Sequence, residues 1–326
     1  MKLSNIIEVE YESVTEKSKK DTVYNKKNAQ AIIHLFQEWT LKTKEYMIID
    51  DYERDQNALE ETLSKIDYTA PEITQFCFAL RNIDKETYSP FFAGFFLTAL
   101  ISADYVKTKT KEPYLLITEE LPLLHCIGYA LQGENIEIMG SVGNLLGTKM
   151  IEGNIHVQGS AGDYCGIEMN GGKIIVDNFV SNFCGDQMND GEILIKKNAN
   201  YLVGRGMNGG YIQIKEHSGT DLGHYNNGGT IVVCKNAGDD IGYGMKKGII
   251  VIKGDTACRL GTNMHGGTII VEGDAGKNIG EIIIPGEIET FSFTGRIYLD
   301  GTFSSLSQYS KKINIFHKGK KVERKR

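Results

Sequence analysis

Proline is scarce and unevenly placed in this chain of 326 residues: Pro71, Pro90, Pro113 and Pro122 precede residue 131, and only Pro285 follows it. Proline donates no ladder hydrogen bond, so its near absence after 131 suits a sheet whose strands are almost all paired. Cysteine is also sparse. Six residues form no CxxC pair, which argues against a disulfide framework or a structural zinc site. The longest apolar run, 91–101, is shorter than the roughly 20 residues of a transmembrane helix. Residues 1–12 show no positive region followed by an apolar one, so no signal peptide is expected. The formal net charge is -6 at pH 7, and nothing global favours nucleic acid or a membrane surface. The one basic run, 318–326, has no interleaved aromatics and reads as a solvated tail. Together these absences predict a cytoplasmic protein that binds neither nucleic acid nor membrane.

Glycine divides the chain. Of 37 glycines, 34 lie between Gly133 and Gly301. Residues 1–20 are polar and read as an N-terminal segment of their own. Residues 21–130 read as a mainly helical domain. Within it, 29–46 carries Ile32, Ile33, Leu35, Phe36, Trp39 and Leu41 on one broad face. Pro71 sits early in a second helix expected over 71–80. Ser89-Pro90 reads as a cap and first helical residue, opening a stretch, 91–105, so apolar that it must be buried. Residues 113–118 could form a short strand.

From residue 131 the chain is periodic. Glycine recurs at 153, 172, 191, 210, 229, 248, 267 and 286, always at an interval of 19. A second series runs at the same interval from Gly147 through Gly166, Gly185 and Gly204 to Gly280. Methionine occupies 150, 169, 188, 207, 245 and 264, with Asn226 in the missing phase. Three interlocked series of one period define a repeat. Two residues after each first glycine comes isoleucine (Ile155, Ile174, Ile193, Ile212, Ile231, Ile250, Ile269), and two further on comes Val or Ile. That alternation places both series on the inner face of a stacked strand. The spacing predicts a mainly β fold, a right-handed parallel β-helix of 19-residue coils over 131–301, preceded by the small helical domain and followed by a tail over 302–326. About eight coils stacked at about 4.8 Å make a rod of about 40 Å.

The pairs at 171–172, 209–210, 228–229 and 266–267 are expected at tight corners that need positive φ or close approach between coils. Asn170, Asn189, Asn208 and Asn227 precede corners in four successive coils, where stacked amides can hydrogen-bond.

The pattern G-x-h-x-h-x-G-x-x-G-x-x-x-G-x-x-M-x-G-G, fullest from Gly153 through Gly159, Gly162 and Gly166 to Met169 and Gly172, resembles the GXGXG family of right-handed β-helices. That family includes the C-terminal domain of the glutamate synthase large subunit and a β-helical component of formylmethanofuran dehydrogenase. The resemblance covers about half of the chain and implies a stand-alone relative of the domain. In those enzymes the β-helix holds catalytic modules in relative position and supplies no catalytic residue. No amidotransferase, flavin or molybdopterin module is visible here.

Other motifs dissolve into the repeat. Residues 204–209 spell GxGxxG, but a strand of the next coil follows where a dinucleotide site needs a helix. No aspartate column supports calcium-binding repeats, and the period is 19 rather than 18. Cys165 and Cys184 stack in a column otherwise filled by Leu, Val and Ile, so they read as core. The methionine column reads likewise. Histidines fall in different columns, His125-Cys126 marks the junction to the repeat, and no face gathers several carboxylates. No catalytic, cofactor-binding or metal-binding residue is therefore assigned, and no cofactor is expected.

One outward column deviates. Ile175, Leu194, Val232, Val251 and Ile270 are aliphatic where a solvated face should be polar, and polar columns flank them. They form a candidate interaction stripe that is expected to be covered by the chain's own helices, by a protein partner or by self-association. The functional expectation is a non-catalytic scaffold or assembly subunit. The alternatives are a subunit of a glutamate synthase-like or formyl-transfer oxidoreductase complex with its chemistry on partner chains, or a β-helix enzyme or carbohydrate binder.

Overall fold

The computed structural model describes residues 26–43, 52–83, 89–281, 295–307 and 313–322. Among the described residues four helices come first: α1 (Lys26–Thr43), α2 (Tyr52–Leu63), α3 (Ala70–Leu80) and α4 (Pro90–Thr108). Glu72 accepts a hydrogen bond from the Thr69 N–H (3.0 Å), which fixes the start of α3. Ser89 caps α4 as expected, accepting from the Phe91 N–H at 3.3 Å, and Pro90 takes the first position. By length and composition α4 could cross a membrane. Every residue from Ala93 to Asp104 is buried inside the protein, so the helix is apolar all round because it is central.

The helices close one end of the rod, α3 and α4 packing on the first two strands of a twelve-stranded sheet. Thr98 on α4 donates to the Cys126 carbonyl (3.2 Å) and accepts from the Gly128 N–H (2.9 Å). Gly94 permits this approach, since a Cβ there would strike the His125 carbonyl. His125 is thus the junction residue expected: its N–H reaches Pro90 and its Nδ1 accepts from the Asn144 N–H at 2.8 Å.

The strands are β1 (Tyr114–Ile117), β2 (Gln132–Met139), β3 (Glu152–Val157), β4 (Asn170–Val176), β5 (Asp190–Ile195), β6 (Tyr211–Ile214), β7 (Asn227–Val233), β8 (Lys247–Ile252), β9 (Thr268–Val271), β10 (Arg296–Leu299), β11 (Asn314–His317) and β12 (Lys320–Lys321). They pair in sequence order, all parallel from β1 to β11, and β12 folds back antiparallel on β11. The architecture is a parallel β-solenoid with 19-residue spacing. Ile155, Ile174, Ile193, Ile212, Ile231, Ile250 and Ile269 form one register-matched ladder, each 0% exposed. The methionines of the repeat are equally buried.

The solenoid is longer than the spacing implies. β1, inside the segment expected to be helical, pairs with β2. Ile297 of β10 pairs with Ile269, an interval of 28 rather than 19, and β11 adds a further coil inside the expected tail. Gly286, the last glycine of the first series, lies outside the described residues. The ten parallel steps from β1 to β11 give a rod of about 48 Å.

Both corner roles of the glycine pairs occur. Gly210 has φ +80°, and a Cβ on Gly209 would collide with the Asn189 carbonyl of the previous coil. The asparagine amides stack as expected, Asn189 on Asn170 (3.0 Å), Asn208 on Asn189 (3.0 Å) and Asn227 on Asn208 (3.3 Å). A second line of small residues, Ala161, Val180, Ala199, Ser218, Ala237, Thr256 and Ala275, bridges successive coils on another side of the rod.

Candidate functional site

Register places one outward residue of each strand on a single line. It runs Leu115, Glu137, His156, Ile175, Leu194, Gln213, Val232, Val251, Ile270, Tyr298 and Phe316. The five residues of the candidate stripe all lie on it, and all five are partly exposed. The chain's own helices were one expected cover, and in this respect the expectation is corrected. Among the described residues, helix-to-sheet packing falls on β1 and β2, before the stripe begins. The physical reason is that α4 spends its apolar surface inside the helical cap.

The stripe is also longer than the spacing suggested. Tyr298 and Phe316 continue it with stacked rings, centroids 4.8 Å apart and planes 12° apart. Period counting misses them because the interval before β10 breaks the phase. Beside the line, Ile249 is 42% exposed. From β4 to β11 the column is apolar except for Gln213, with one member on each strand.

Mostly polar columns border it, one of them mainly charged. On one side stand Lys173, Glu192, Tyr211, Thr230, Ile249, Thr268, Arg296 and Asn314; on the other stand Asp177, Lys196, Lys215, Cys234, Lys253, Glu272 and Asp300. The ladder continues through the second side, since Asp177, Lys196, Lys215, Lys253, Glu272 and Asp300 each donate a backbone N–H to the previous coil. Lys173 pairs with Glu192 (3.0 Å) and Lys196 with Asp177 (2.7 Å). At the cap end, His156 lies between Glu137 (3.0 Å) and Asp177 (2.8 Å), and Gln158 donates to Glu137. Both ring nitrogens are occupied, so the cluster acts as a clamp that ends the apolar stripe. Burial opposes ionisation of Asp177, but hydrogen bonds from Lys196 and His156 outweigh it and hold its carboxyl below the usual range.

A second feature lies at a corner of the rod. Arg205 grips the buried Asp186 through Nε (2.9 Å) and Nη2 (2.6 Å) and covers the Phe183 ring at 4.8 Å. Next to it, Gly206, His224 and Tyr225 line an open depression of about 620 Å³. His224 sits 3.2 Å from Asp221 and between the rings of Tyr225 and Tyr243. This is where GxGxxG falls, and β6 follows it, not a helix. The guanidinium fork is already engaged by Asp186.

Cys165 and Cys184 are both fully buried. The hydrogen bond between the two thiols, together with burial, pushes the Cys184 thiol well above the ordinary range, so it stays protonated. Among the described residues, no group of three or more His, Cys, Asp or Glu side chains could hold a metal ion. No protein-family model matches the chain, and no curated protein matches it.

Proposed function

We propose that this chain is a non-catalytic scaffold or assembly subunit that presents a straight, rigid face to another polypeptide. One observation carries the reading: an apolar column, running from Ile175 to Phe316 with one polar break, stays partly exposed on the outer face of the sheet. Water-exposed apolar surface of this extent and regularity is characteristic of an interaction site. The likeness of the glycine pattern to the GXGXG β-helices supports the same role. On that likeness the parent assembly is a glutamate synthase-like or formyl-transfer oxidoreductase complex, with the chemistry on partner chains. The free state of all six cysteines suits a reducing cytoplasm. The open depression beside His224 and Tyr225 favours a second reading, a carbohydrate binder with an aromatic-lined site.

The test uses the full chain purified from its native source. Elemental analysis and absorbance should show no stoichiometric metal, flavin or iron–sulfur cluster. A co-purifying polypeptide should be retained by wild type and lost from Leu194→Asp. A tightly bound cofactor, or turnover by the chain alone, would overturn the scaffold proposal. Saturable sugar binding lost in Tyr225→Ala would favour the second reading.

A further inference from the structure

We propose that the partner of the outer face is a second copy of this chain. Two rods lie face to face and antiparallel, about a two-fold axis along the strands between the Val232 and Val251 coils. This rests on the reading of the face as an interface and supplies its occupant.

The levels of two such faces match. β4 to β11 supply eight parallel strands. A two-fold along the strand direction keeps that direction and reverses the order of coils, so the first level meets the eighth and the second meets the seventh. Val232 then faces Val251, Leu194 faces Tyr298 and Ile175 faces Phe316. The single polar member, Gln213, faces Ile270. Each flanking column meets its own counterpart in reverse. Glu192 meets Arg296 and Lys196 meets Asp300 on the same level, and Lys215 meets Glu272 on the next. Symmetry repeats each pair, and no level opposes like charges. Within the chain, among the described residues, Lys215, Glu272, Arg296 and Asp300 have no ion pair. Across the axis each of them meets an opposite charge.

The other possible two-fold, along the rod, sets every level against itself. It would bring Glu137 against Glu137 and crowd two helical caps at one end. The antiparallel axis leaves Glu137 outside the overlap and sets β12, where Lys321 lies beside Phe316, against the His156 level. Eight strands at about 4.8 Å and five residues at about 3.3 Å give a patch of about 34 by 16 Å. About 1,100 Å² would be buried in total, just above the roughly 1,000 Å² expected of a specific interface. Sheets that pack face to face in the aligned mode keep their strands within about 30° of each other, which this axis satisfies.

Sedimentation velocity of the full chain over micromolar concentrations tests the proposal. Wild type should be a dimer. Lys215→Glu and Glu272→Lys should each weaken it about tenfold or more, and the two together should restore it to within about threefold. Val251→Asp should give monomer with an unchanged circular dichroism spectrum. A monomeric wild type, a dimer indifferent to Val251→Asp, or a charge swap without recovery would each overturn the antiparallel dimer. A monomer that still captures a different polypeptide through Leu194 would sink the dimer alone and leave the scaffold proposal standing. A bound cofactor would sink the scaffold proposal whatever the oligomeric state.

Discussion

The helical cap and the solenoid bury apolar surface in opposite ways. The cap uses rings in contacts that occur once: Phe36 meets Phe76 at 5.2 Å and Phe96 at 5.1 Å, and Trp39 lies 5.7 Å from Phe96. Between Glu134 and Ile279 no buried residue is aromatic. There the core is columns of Ile, Val, Ala and Met, each contacting copies of itself one coil away. A unique aromatic cluster depends on every member, whereas a column repeats one contact and shares a loss between neighbours. The one tryptophan, Trp39, lies in the cap, so its fluorescence reports the cap while far-ultraviolet circular dichroism is weighted to the strands.

The largest effect should come from breaking the cap cluster. Phe96→Ala should cost about 3–5 kcal/mol and move the fluorescence transition in urea more than the dichroism transition. Ile212→Ala, in the middle of the ladder, should cost about 2–5 kcal/mol and do the reverse. Coincident shifts for both variants would show that cap and rod unfold as one unit.

Next comes the corner. Gly209→Ala drives a Cβ into the Asn189 carbonyl, and that backbone is held by its own stack. The expected loss is about 1–3 kcal/mol, read as a lower urea midpoint by dichroism with little change in the fluorescence transition.

A gain of about 1 kcal/mol is expected from Asn226→Met. Asn226 is 0% exposed and its Nδ2 has no hydrogen-bond partner. The methyls of Met150, Met169, Met188, Met207 and Met245 lie against Gly172, Gly191, Gly210, Gly229 and Gly267. Against Gly248, where the same phase demands a methyl from residue 226, the nearest atoms are instead the backbone of Gly228 and Gly229. Asn226 Oδ1 accepts from the Gly228 N–H, but in other coils the matching N–H uses the carbonyl of a methionine, as Gly209 uses Met188. A lowered melting temperature in Asn226→Met would show that this amide is needed where it is.

The smallest effect separates the regions by pH. Burial raises Glu60 and Asp104 in the cap, while hydrogen bonds outweigh burial and lower Asp163 and Asp177 in the solenoid. A lowered carboxyl contributes stability that is complete above the unfolded value, about 4, and is lost as pH falls through the folded one. A raised carboxyl does the opposite: it costs stability once ionised, and acidification through its raised value removes that cost. Below about pH 4 the dichroism-detected stability should therefore fall faster than the fluorescence-detected one. Asp177→Asn should flatten the acid dependence of the rod slightly, because Asp177 is partly exposed.

The same contrast decides what is legible in the sequence. Ladder, methionine column, corner glycines and asparagine stack are all read from a constant interval, because each coil solves one packing problem in the same way. The nine-residue lengthening before β10 hides Tyr298 and Phe316, and with them the full length of the outer face. α2 escapes a reading by periodicity because the buried anchors among its described side chains, Gln56, Leu59 and Leu63, include only two large apolar residues, a weak pattern in YERDQNALEETL. The Glu137–His156–Asp177 clamp takes Glu137 and His156 from one column but Asp177 from the next, so reading down single columns does not complete it. Assigning the cover of the stripe to the helices fails because apolarity tells that α4 is buried, not against what.

Native mass spectrometry of the chain purified from its own source tests the central claim most directly, that the outer face binds polypeptide and the rod carries no chemistry of its own. The expected result is an assembly of whole polypeptides with no residual small-molecule mass, reduced to single chains by Val251→Asp. A single chain carrying a stoichiometric cofactor or metal, with the outer face free, would contradict it.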